Sequence, residues 1–487
     1  MILNKNVVKS LIFITVYITS FSCVNAPNKS KTESPNFIVF LVDDQGWNGT
    51  SVQMMNKEPL SKSDYHETPN LEILAQNGIK FSNAYSSAPV CAPSRYSIQF
   101  GKSPARMSLI RVGMNTDHID HENWMSIPKM LKSVDDQYRT AHFGKWGMGS
   151  NPDKLGYDIS DGPTKNKDGG FINSREQWKT STNDNPKKIF SITQHAIEFM
   201  EKSVLDNSPF YLQISHYAVH ASLETTEHSF SHFDKKPKGV RHDNIGFAAM
   251  THNLDSSLGL VLDKLSQLNI DDNTYIIYLS DNGSVPNIPA ARPYVKSYNY
   301  PLSRGKWDAL EGGVRVPFIM KGPGIEPNTQ SDVPISGSDI LPTIAEISGY
   351  SKQLNKIDGG SFHKILFRQD SAIKRSIPGI FFHVPYKNKI ALNRPHSALR
   401  YNNFKLIRYN DNNEVELYNL HNDLSEMKDL SKEKPDKTAE LNNILEKYLI
   451  SVKAPKWEEG ITWKNQKITE FNSCLLYTSP SPRDMWT

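Results

Sequence analysis

Two short apolar segments of this sequence end in pairs of oxygen-bearing side chains. One begins at residue 36 and is followed by Asp43 and Asp44, and the other begins at residue 274 and leads to Asp281 and Asn282. Carboxylate and amide oxygens suit Ca²⁺ or Mg²⁺ rather than zinc or copper. A turn or a helix cap would explain either pair alone, since Asp-Asn-Gly is a common turn sequence. Adjacent carboxylates are costly without a compensating cation, so two such pairs beside a distinctive cysteine favour a metal site.

Cys91 is that distinctive cysteine, because it alone of the three in the chain lies in the body of the sequence. A body with one cysteine contains no internal disulfide, so Cys91 does not serve as a staple. The alternative is a small buried core residue. The residues up to Phe100 predict a helix that begins at Cys91 and includes Arg95. An anion beside Cys91 would then meet free backbone N–H groups and the positive end of a helix dipole.

Three further polar side chains lie close to the ends of apolar segments: Lys145, His220 and Lys306. Fixed cations can stabilise the charge that shifts on a group during its transfer. Histidine titrates near neutral pH and can donate a proton to a leaving group, although a lone histidine near a strand end is more often structural. These residues are therefore candidates for anion binding and acid catalysis.

Helical segments alternate with the apolar segments, which predicts an α/β sheet. One helix opens at Thr68, helical spacing covers residues 188–204, 244–268 and 338–349, and a strand is predicted over residues 314–320. Ligands of such sheets gather at the carboxyl ends of the strands. We therefore expect the acids, the lysines and the histidine to meet in one site.

The pattern of the chain changes after about residue 373. Residues 396–401, 404–409 and 414–418 alternate between apolar and polar, as half-exposed strands do, and residues 436–452 form an amphipathic helical pattern. We interpret residues 35–372 as a catalytic domain and residues 373–472 as a smaller C-terminal domain with an antiparallel sheet and a helix.

Cys91–Arg95 reads Cys-Ala-Pro-Ser-Arg and resembles the C-x-P-S-R signature of the type I sulfatases. The resemblance extends from about residue 36 to residue 472. It implies the alkaline-phosphatase-like fold, an α/β architecture in which helices flank a large, mixed but mostly parallel sheet beside a smaller C-terminal antiparallel sheet and helix. The other matching motifs are Val42–Gly46, Thr68–Asn70, Gly144–Trp146, Ser280–Gly283, Lys306 and Glu311–Gly313.

The resemblance also implies a chemistry. A maturation enzyme of the family's hosts oxidises the signature cysteine to Cα-formylglycine, and one hydroxyl of the aldehyde hydrate attacks sulfur and expels the alcohol. The other hydroxyl then loses its proton, so that sulfate is eliminated and the aldehyde returns. Arg95 would hold the hydrate, and Lys145, His220 and Lys306 would contact the sulfate. One calcium ion would be bound by Asp43, Asp44, Asp281, Asn282 and the modified Cys91.

Two positions depart from the family pattern. Gly147 stands where many relatives have a histidine that is thought to assist elimination, so His142 or another histidine would have to substitute. His216 is interpreted as a packing residue or as one that supports the site's own residues. Gln99-Phe100-Gly101 replaces a common Leu-Thr-Gly sequence, which bears on how efficiently Cys91 is matured.

The two ends of the chain have patterns of their own. Residues 1–23 resemble a bacterial secretion signal whose apolar run ends at Cys23, the residue that a lipoprotein signal would leave as a lipid anchor. Ser20 departs from the usual lipoprotein pattern, so the expectation is a periplasmic or cell-envelope lipoprotein, with secretion as the alternative. Residues 474–487 resemble a translated sequencing-adapter sequence and are left out of the fold prediction.

Net charge gives no strong case for nucleic-acid binding, since it is +4 over 487 residues with 22% charged side chains. The basic residues 235–241 fit a solvated loop or a face for an anionic polymer. The leading hypothesis is a calcium- and formylglycine-dependent sulfatase that hydrolyses sulfate esters of a sulfated carbohydrate. The alternatives are a phosphodiester or phosphonate hydrolase of the same superfamily and a catalytically silent glycan-binding lipoprotein.

Overall fold

The structure is a computed structural model that describes residues 34–288, 297–388, 390, 392–464 and 468. The predicted signal, with Cys23, and the adapter-like residues 474–487 lie outside the described residues. No helix in the described part of the chain combines the length and the apolar character needed to cross a membrane.

A mixed eight-stranded sheet forms the centre of the molecule, with the strand order β11-β2-β10-β9-β1-β7-β4-β5. A separate antiparallel sheet has the order β13-β14-β15-β16. The strands are β1 (Asn36–Val42), β2 (Ile79–Phe81), β3 (Ala84–Tyr85), β4 (Arg139–Gly144), β5 (Ile159–Ser160), β6 (Ser181–Thr182), β7 (Phe210–Ser215), β8 (Glu224–Thr225), β9 (Thr274–Ser280), β10 (Phe318–Lys321), β11 (Thr329–Ser331), β12 (Ile335–Ser336), β13 (Ile380–Val384), β14 (His396–Tyr401), β15 (Phe404–Tyr409) and β16 (Val415–Asn419).

Helices cover both faces of the large sheet, as the alternating pattern of the sequence predicts. Their apolar sides pack with the sheet into one buried cluster on each face, which explains why β1 is apolar from Phe37 to Val42. The helices are α1 (Pro69–Gln76), α2 (Cys91–Phe100), α3 (Ile127–Val134), α4 (Ile189–Leu205), α5 (Glu227–Lys235), α6 (Ile245–Gln267), α7 (Glu311–Val314), α8 (Ile340–Ile347), α9 (His363–Leu366) and α10 (Pro435–Ser451).

The register of the central strands aligns their carboxyl ends. β1 pairs in parallel with both β7 and β9, and β4 pairs in parallel with β7. Val42 lies opposite Ser280, and Ser215 lies opposite both Leu41 and Gly144. The residues that follow these strands therefore emerge together at one edge of the sheet. The expected α/β fold with a mostly parallel mixed sheet is confirmed.

The predicted strand over residues 314–320 was too long. Arg315 N donates a hydrogen bond to Glu311 O at 2.8 Å, so the Glu311–Gly313 turn continues into the short helix α7. Pro317 has no N–H to give to a sheet ladder, and β10 begins only at Phe318. β10 pairs antiparallel with β9, which makes the large sheet mixed.

The C-terminal sheet contains the three predicted strands and one more, β13, which had not been predicted. All neighbouring strands in it are antiparallel. Helix α10 covers one face through buried apolar residues such as Leu441 and Leu445, packed against Leu406 and Leu417. The antiparallel sheet with its helix is confirmed, and the exact domain boundary near residue 373 stays a prediction.

Candidate active site

Three buried carboxylates and one amide meet beyond the carboxyl ends of β1 and β9. Carboxylate oxygens of Asp43, Asp44 and Asp281 lie within 4.8 Å of one another. Asn282 Nδ2 donates a hydrogen bond to Asp44 Oδ1 at 2.7 Å, and Asp44 N donates one to Asp281 Oδ1 at 3.2 Å. The structure thus brings together the four predicted oxygen-bearing side chains.

Three cations from distant parts of the chain compensate these carboxylates. Lys145 forms a buried ion pair with Asp43, and Lys306 Nζ lies 2.6 and 2.7 Å from the two oxygens of Asp44. Arg95 Nε and Nη2 each lie 2.8 Å from Asp281 Oδ2. The cations of the sequence prediction therefore surround the acids.

The buried charges shift one another's pKa values. Burial alone would raise the pKa of Asp43, but Lys145 and its neighbouring cations outweigh that effect and hold the pKa well below its usual range. Burial and the adjacent Asp43 raise the pKa of Asp281 to about 6. Burial alone would lower the pKa of Lys306, but Asp44 outweighs it and raises the pKa. The acids thus differ in how firmly they hold their charge.

Two oxygens of this cluster fit a divalent cation. Asp43 Oδ1 and Asn282 Oδ1 are buried and have no hydrogen-bond partner among the residues that the structure describes. Buried polar atoms are nearly always partnered, so two orphaned oxygens beside two further carboxylates indicate a ligand. Carboxylate and amide oxygens are the donors that Ca²⁺ takes. Asp43, Asp44, Asp281 and Asn282 therefore fit the implied ion.

Cys91 is the first residue of α2 and is buried beside this cluster. The preceding residue, Val90, has no side chain that could accept a hydrogen bond from the first N–H groups of the helix, so these groups are not capped. Burial raises the pKa of the Cys91 thiol, although Lys145 and Lys306 act in the opposite direction. A reactive thiolate needs a lowered pKa. The unmodified side chain is therefore a poor thiolate nucleophile in spite of its position.

Arg95 lies one helical turn beyond Cys91 and is almost completely buried. Its Nη1 donates a hydrogen bond to Lys145 O at 2.6 Å, which ties α2 to the segment that follows β4. Lys145 N in turn donates to Ser215 O at the end of β7. This chain of contacts fixes Cys91, Arg95 and Lys145 relative to one another.

His220 lies on the loop after β7, with its Nε2 3.8 Å from Asp44 Oδ2. Its Nδ1 lies 2.7 Å from Ala221 O, and a carbonyl oxygen can only accept, so Nδ1 is protonated. Burial lowers the pKa of His220 to about 4, with Asp44 acting in the opposite direction. Nε2 is therefore the atom that can exchange a proton with a ligand.

The two other predicted histidines lie in packing positions. His142 Nε2 lies 3.1 Å from Ser215 Oγ, and its ring contacts Trp146 edge-on at 4.8 Å. His216 is hydrogen-bonded to Ser257 and contacts Phe40. Burial lowers the pKa of each histidine to about 3. This geometry does not favour His142 as the substitute for the family's missing histidine.

Gly147 adopts a left-handed backbone conformation with φ of +68°. A Cβ at this position would lie 3.3 Å from Arg95 Cδ and 3.5 Å from Lys145 Cε. A side chain at residue 147 would therefore start beside Arg95 and Lys145, two of the three cations of the site. The departure noted in the sequence thus adjoins the charged cluster.

A second buried charge network, which sequence reasoning missed, supports the loop that carries Lys306. Lys405 Nζ, on β15, lies 2.9 Å from both Glu311 Oε1 and Glu426 Oε1. Glu426 Oε2 accepts a hydrogen bond from Glu311 N at 2.8 Å and another from Ser303. The Glu311–Gly313 motif was the only sequence signal of this network. It connects the C-terminal sheet to the segment 303–311.

Comparison with known proteins agrees with this geometry. The family model described as Sulfatase matches residues 35–350, and the model described as N-sulphoglucosamine sulphohydrolase, C-terminal, matches residues 306–454. The first match covers more than half of the chain. The chain belongs to the sulfatase family.

The sulfatase is similar to two curated proteins of Formosa agariphila. One, named Sulfatase, is 27% identical over 93% of this chain and 95% of its own length. The other, named Ulvan-active sulfatase, is 26% identical over 74% of this chain and 71% of its own. Among solved structures, Ps i-CgsB in complex with k-i-k-neocarrahexaose superposes with a TM-score of 0.70 at 24% identity, covering 91% of this chain and 99% of that one. The enzyme is a sulfuric ester hydrolase of alkaline-phosphatase-like fold.

Proposed function

We propose that this sulfatase removes sulfate from a sulfated carbohydrate, using a Cα-formylglycine made from Cys91 and one calcium ion held by Asp43, Asp44, Asp281 and Asn282. The main support for this proposal is a pair of buried oxygens without hydrogen-bond partners among the described residues, Asp43 Oδ1 and Asn282 Oδ1, near a cysteine at a helix N-terminus. The sulfatase family generally uses both groups, and the buried acidic cluster has the donors that calcium requires.

Lys145 and Lys306 are the proposed sulfate ligands. Without a metal they neutralise Asp43 and Asp44. With a divalent cation held by those carboxylates, Lys145 and Lys306 would no longer be needed to neutralise them and could contact sulfuryl oxygens. The start of α2 has no side-chain cap, so the first N–H groups of that helix are proposed as further donors to the sulfate. The site can therefore hold a sulfate ester from several sides.

His220 is the proposed acid for the leaving alcohol. A formylglycine at residue 91 would supply a hydrated aldehyde as the oxygen nucleophile, and calcium would supply positive charge to the site. As the sulfur–oxygen bond to the sugar breaks, the alcohol oxygen takes the proton from His220 Nε2. A bound sulfate raises the pKa of His220 through its negative charge, which favours the protonated form that this step needs.

His220 also offers an answer to the missing family histidine. After donating its proton, Nε2 is unprotonated, while Nδ1 remains bonded to Ala221 O. The same atom can then accept the proton that is released when sulfate leaves and the aldehyde returns. Arg95 contacts the Asp281 carboxylate and Lys145 O, so its proposed role is to fix these two residues relative to the nucleophile at residue 91.

The proposed substrate class rests on the relatives. The Ulvan-active sulfatase is named for a sulfated polysaccharide, and Ps i-CgsB was solved with a neocarrahexaose. Similarity at these identities supports a sulfated carbohydrate here without selecting one sugar.

We also propose export as a lipoprotein through Cys23, on the basis of the sequence pattern of residues 1–23. Expression of the full chain in a bacterium tests this proposal. Membrane-fraction protein whose N-terminal peptide begins at a lipidated Cys23 would support it. Soluble protein cleaved at another position would contradict the anchor.

The function is tested by comparing matched esters. Protein co-expressed with a formylglycine maturation enzyme is incubated with calcium and with sulfate and phosphate esters of the same aryl alcohol, and then with a panel of sulfated oligosaccharides. Sulfate release from an oligosaccharide, abolished in Cys91→Ala, supports the proposal. Faster phosphate than sulfate release would favour the phosphodiester or phosphonate alternative. Glycan binding by fully matured protein without any release would favour a silent binder.

A further inference from the structure

Arg111 carries a charge that no carboxylate among the described residues neutralises. Its guanidinium carbon lies 4.8 Å from the ring centroid of Tyr386 and 5.7 Å from that of Trp307. Nη1 donates a hydrogen bond to Thr462 O at 2.5 Å, whereas Nε is buried and has no partner within the described part of the chain. The guanidinium is therefore held against two aromatic rings with donor capacity unused.

Arg394 shows what a structurally satisfied arginine looks like in the same molecule. It also packs on a tyrosine, with its guanidinium carbon 3.6 Å from the ring of Tyr409. Unlike Arg111, it is neutralised by Asp411 at 2.9 Å and by Glu414 at 3.3 Å. A stacked arginine of this molecule can thus also have carboxylate partners, whereas Arg111 is stacked and has none among the described residues.

Trp307, one of the two rings that hold Arg111, is tied to the catalytic centre. Trp307 directly follows Lys306. The backbone N–H of Trp307 donates a hydrogen bond at 2.9 Å to the carbonyl of Pro89, two residues before Cys91. Tyr386 comes from the segment after β13. Tyr386 Oη donates a hydrogen bond at 3.4 Å to the carbonyl of Ile110, the residue before Arg111. Burial raises the pKa of Tyr386, with the charge of Arg111 acting in the opposite direction.

A planar guanidinium with unused donors binds carboxylate or sulfate oxygens in a bidentate manner. The aromatic faces keep the group from rotating and remove part of its water, which strengthens a charged hydrogen bond. A Cβ at Gly113, two residues along the chain from Arg111, would lie 3.6 Å from Cγ of the exposed Lys464, so the stem of this lysine runs near the segment that carries Arg111.

We propose that Arg111, held by Trp307 and Tyr386, binds a second anionic group on the sugar that carries the scissile sulfate. The ligand is a sulfate ester or a carboxylate, since both offer paired oxygens to a guanidinium. This subsite rests on the proposed function, because it presupposes a sulfated sugar in the active site. It selects sugars that carry two negative charges over those that carry only the scissile sulfate.

The test compares kcat/KM of matured enzyme for three matched saccharides: a monosulfated neutral sugar, the same sugar with a second sulfate, and a monosulfated sugar with a neighbouring carboxylate. The specificity ratio is kcat/KM for a doubly anionic sugar divided by kcat/KM for the monosulfated one. Arg111→Gln should lower this ratio about 10- to 100-fold, because a hydrogen bond to a charged group is lost. The control Arg394→Gln removes the same charge from a stacked, neutralised arginine and should leave the ratio unchanged.

Arg111→Lys keeps the charge without the planar fork and should give an intermediate ratio, which protects the test if the glutamine variant folds poorly. A larger fall with the second sulfate than with the carboxylate identifies sulfate as the ligand, and the reverse identifies carboxylate. An unchanged ratio in Arg111→Gln overturns the subsite while leaving the proposed function intact. If the wild-type enzyme cleaves none of the saccharides, the proposed function fails, and the subsite fails with it.

Discussion

Replacing Arg95 with methionine tests whether the buried charges of the site stabilise one another. Arg95 makes two contacts of 2.8 Å with Asp281 Oδ2 and one hydrogen bond of 2.6 Å to Lys145 O. Removing one partner of a buried ion pair costs about 3–5 kcal/mol, because the other charge stays buried and uncompensated. Burial already raises the pKa of Asp281 to about 6, so this carboxylate depends strongly on its cation.

A double-mutant cycle isolates the pair. Unmatured protein is unfolded with urea in EDTA and followed by tryptophan fluorescence for wild type, Arg95→Met, Asp281→Asn and the double variant. Each single change should lower the free energy of unfolding by about 3–5 kcal/mol, whereas the double change should cost at least about 2 kcal/mol less than the sum. Arg394→Gln, at a more exposed ion pair, should cost about 1 kcal/mol or less. Additivity of the two single changes to within about 0.5 kcal/mol would refute the reasoning.

Calcium gives the same cycle a second measurement. Arg95→Met leaves the acidic cluster more negative, so calcium should stabilise that variant more than it stabilises the wild type. Asp281→Asn removes a proposed ligand, so the stabilisation by calcium should shrink. Equal stabilisation of all variants by calcium would contradict binding at this cluster.

Three further predictions concern the metal, the pH and the glycine. Asn282→Ala should reduce the calcium-dependent rise of the unfolding midpoint, which for wild type corresponds to about 2.7 kcal/mol at calcium one hundred times its Kd, and an unchanged rise would contradict the ligand assignment. The folded-state pKa values of His66 (about 4) and His216 (about 3) lie below the unfolded value of 6.5. The stability that these histidines contribute is therefore present above pH 6.5 and is lost as the pH falls, by about 2 kcal/mol for each at pH 5. Urea unfolding between pH 7.5 and 5 measures this loss, and His216→Asn should make the free energy of unfolding depend less on pH. Gly147→His should lower the free energy of unfolding by about 1–2 kcal/mol through the left-handed backbone and should not raise sulfate release, whereas a gain in activity would show that the family histidine still has room to act.

The sequence was sufficient for the parts of the site that depend on strand ends. β1 and β9 are buried on both faces, so their apolar runs and the polar residues that stop them are visible without a structure. Parallel pairing then places Asp43, Asp44, Asp281 and Asn282 at one edge by rule. The helix at Cys91 was also predictable, since its residues support helical spacing up to Gly101.

The contacts between distant segments were not predictable. Lys405 and Glu426 support Lys306 through a buried network that joins residues about a hundred positions apart in the chain, and no local pattern shows it. Arg111 meets Trp307 and Tyr386 for the same reason. Pairing of this kind depends on how the C-terminal sheet packs against the catalytic loops, which periodicity and composition do not encode.

The mass of the tryptic peptide Phe81–Arg95 tests the central claim most directly. The peptide is prepared from protein made with and without a formylglycine maturation enzyme. We expect co-expression to shift the peptide to the mass of an aldehyde at Cys91, trappable by a hydrazide, and only this material to release sulfate. An intact thiol in protein that still releases sulfate would show that the nucleophile lies elsewhere and that Cys91 is not its source.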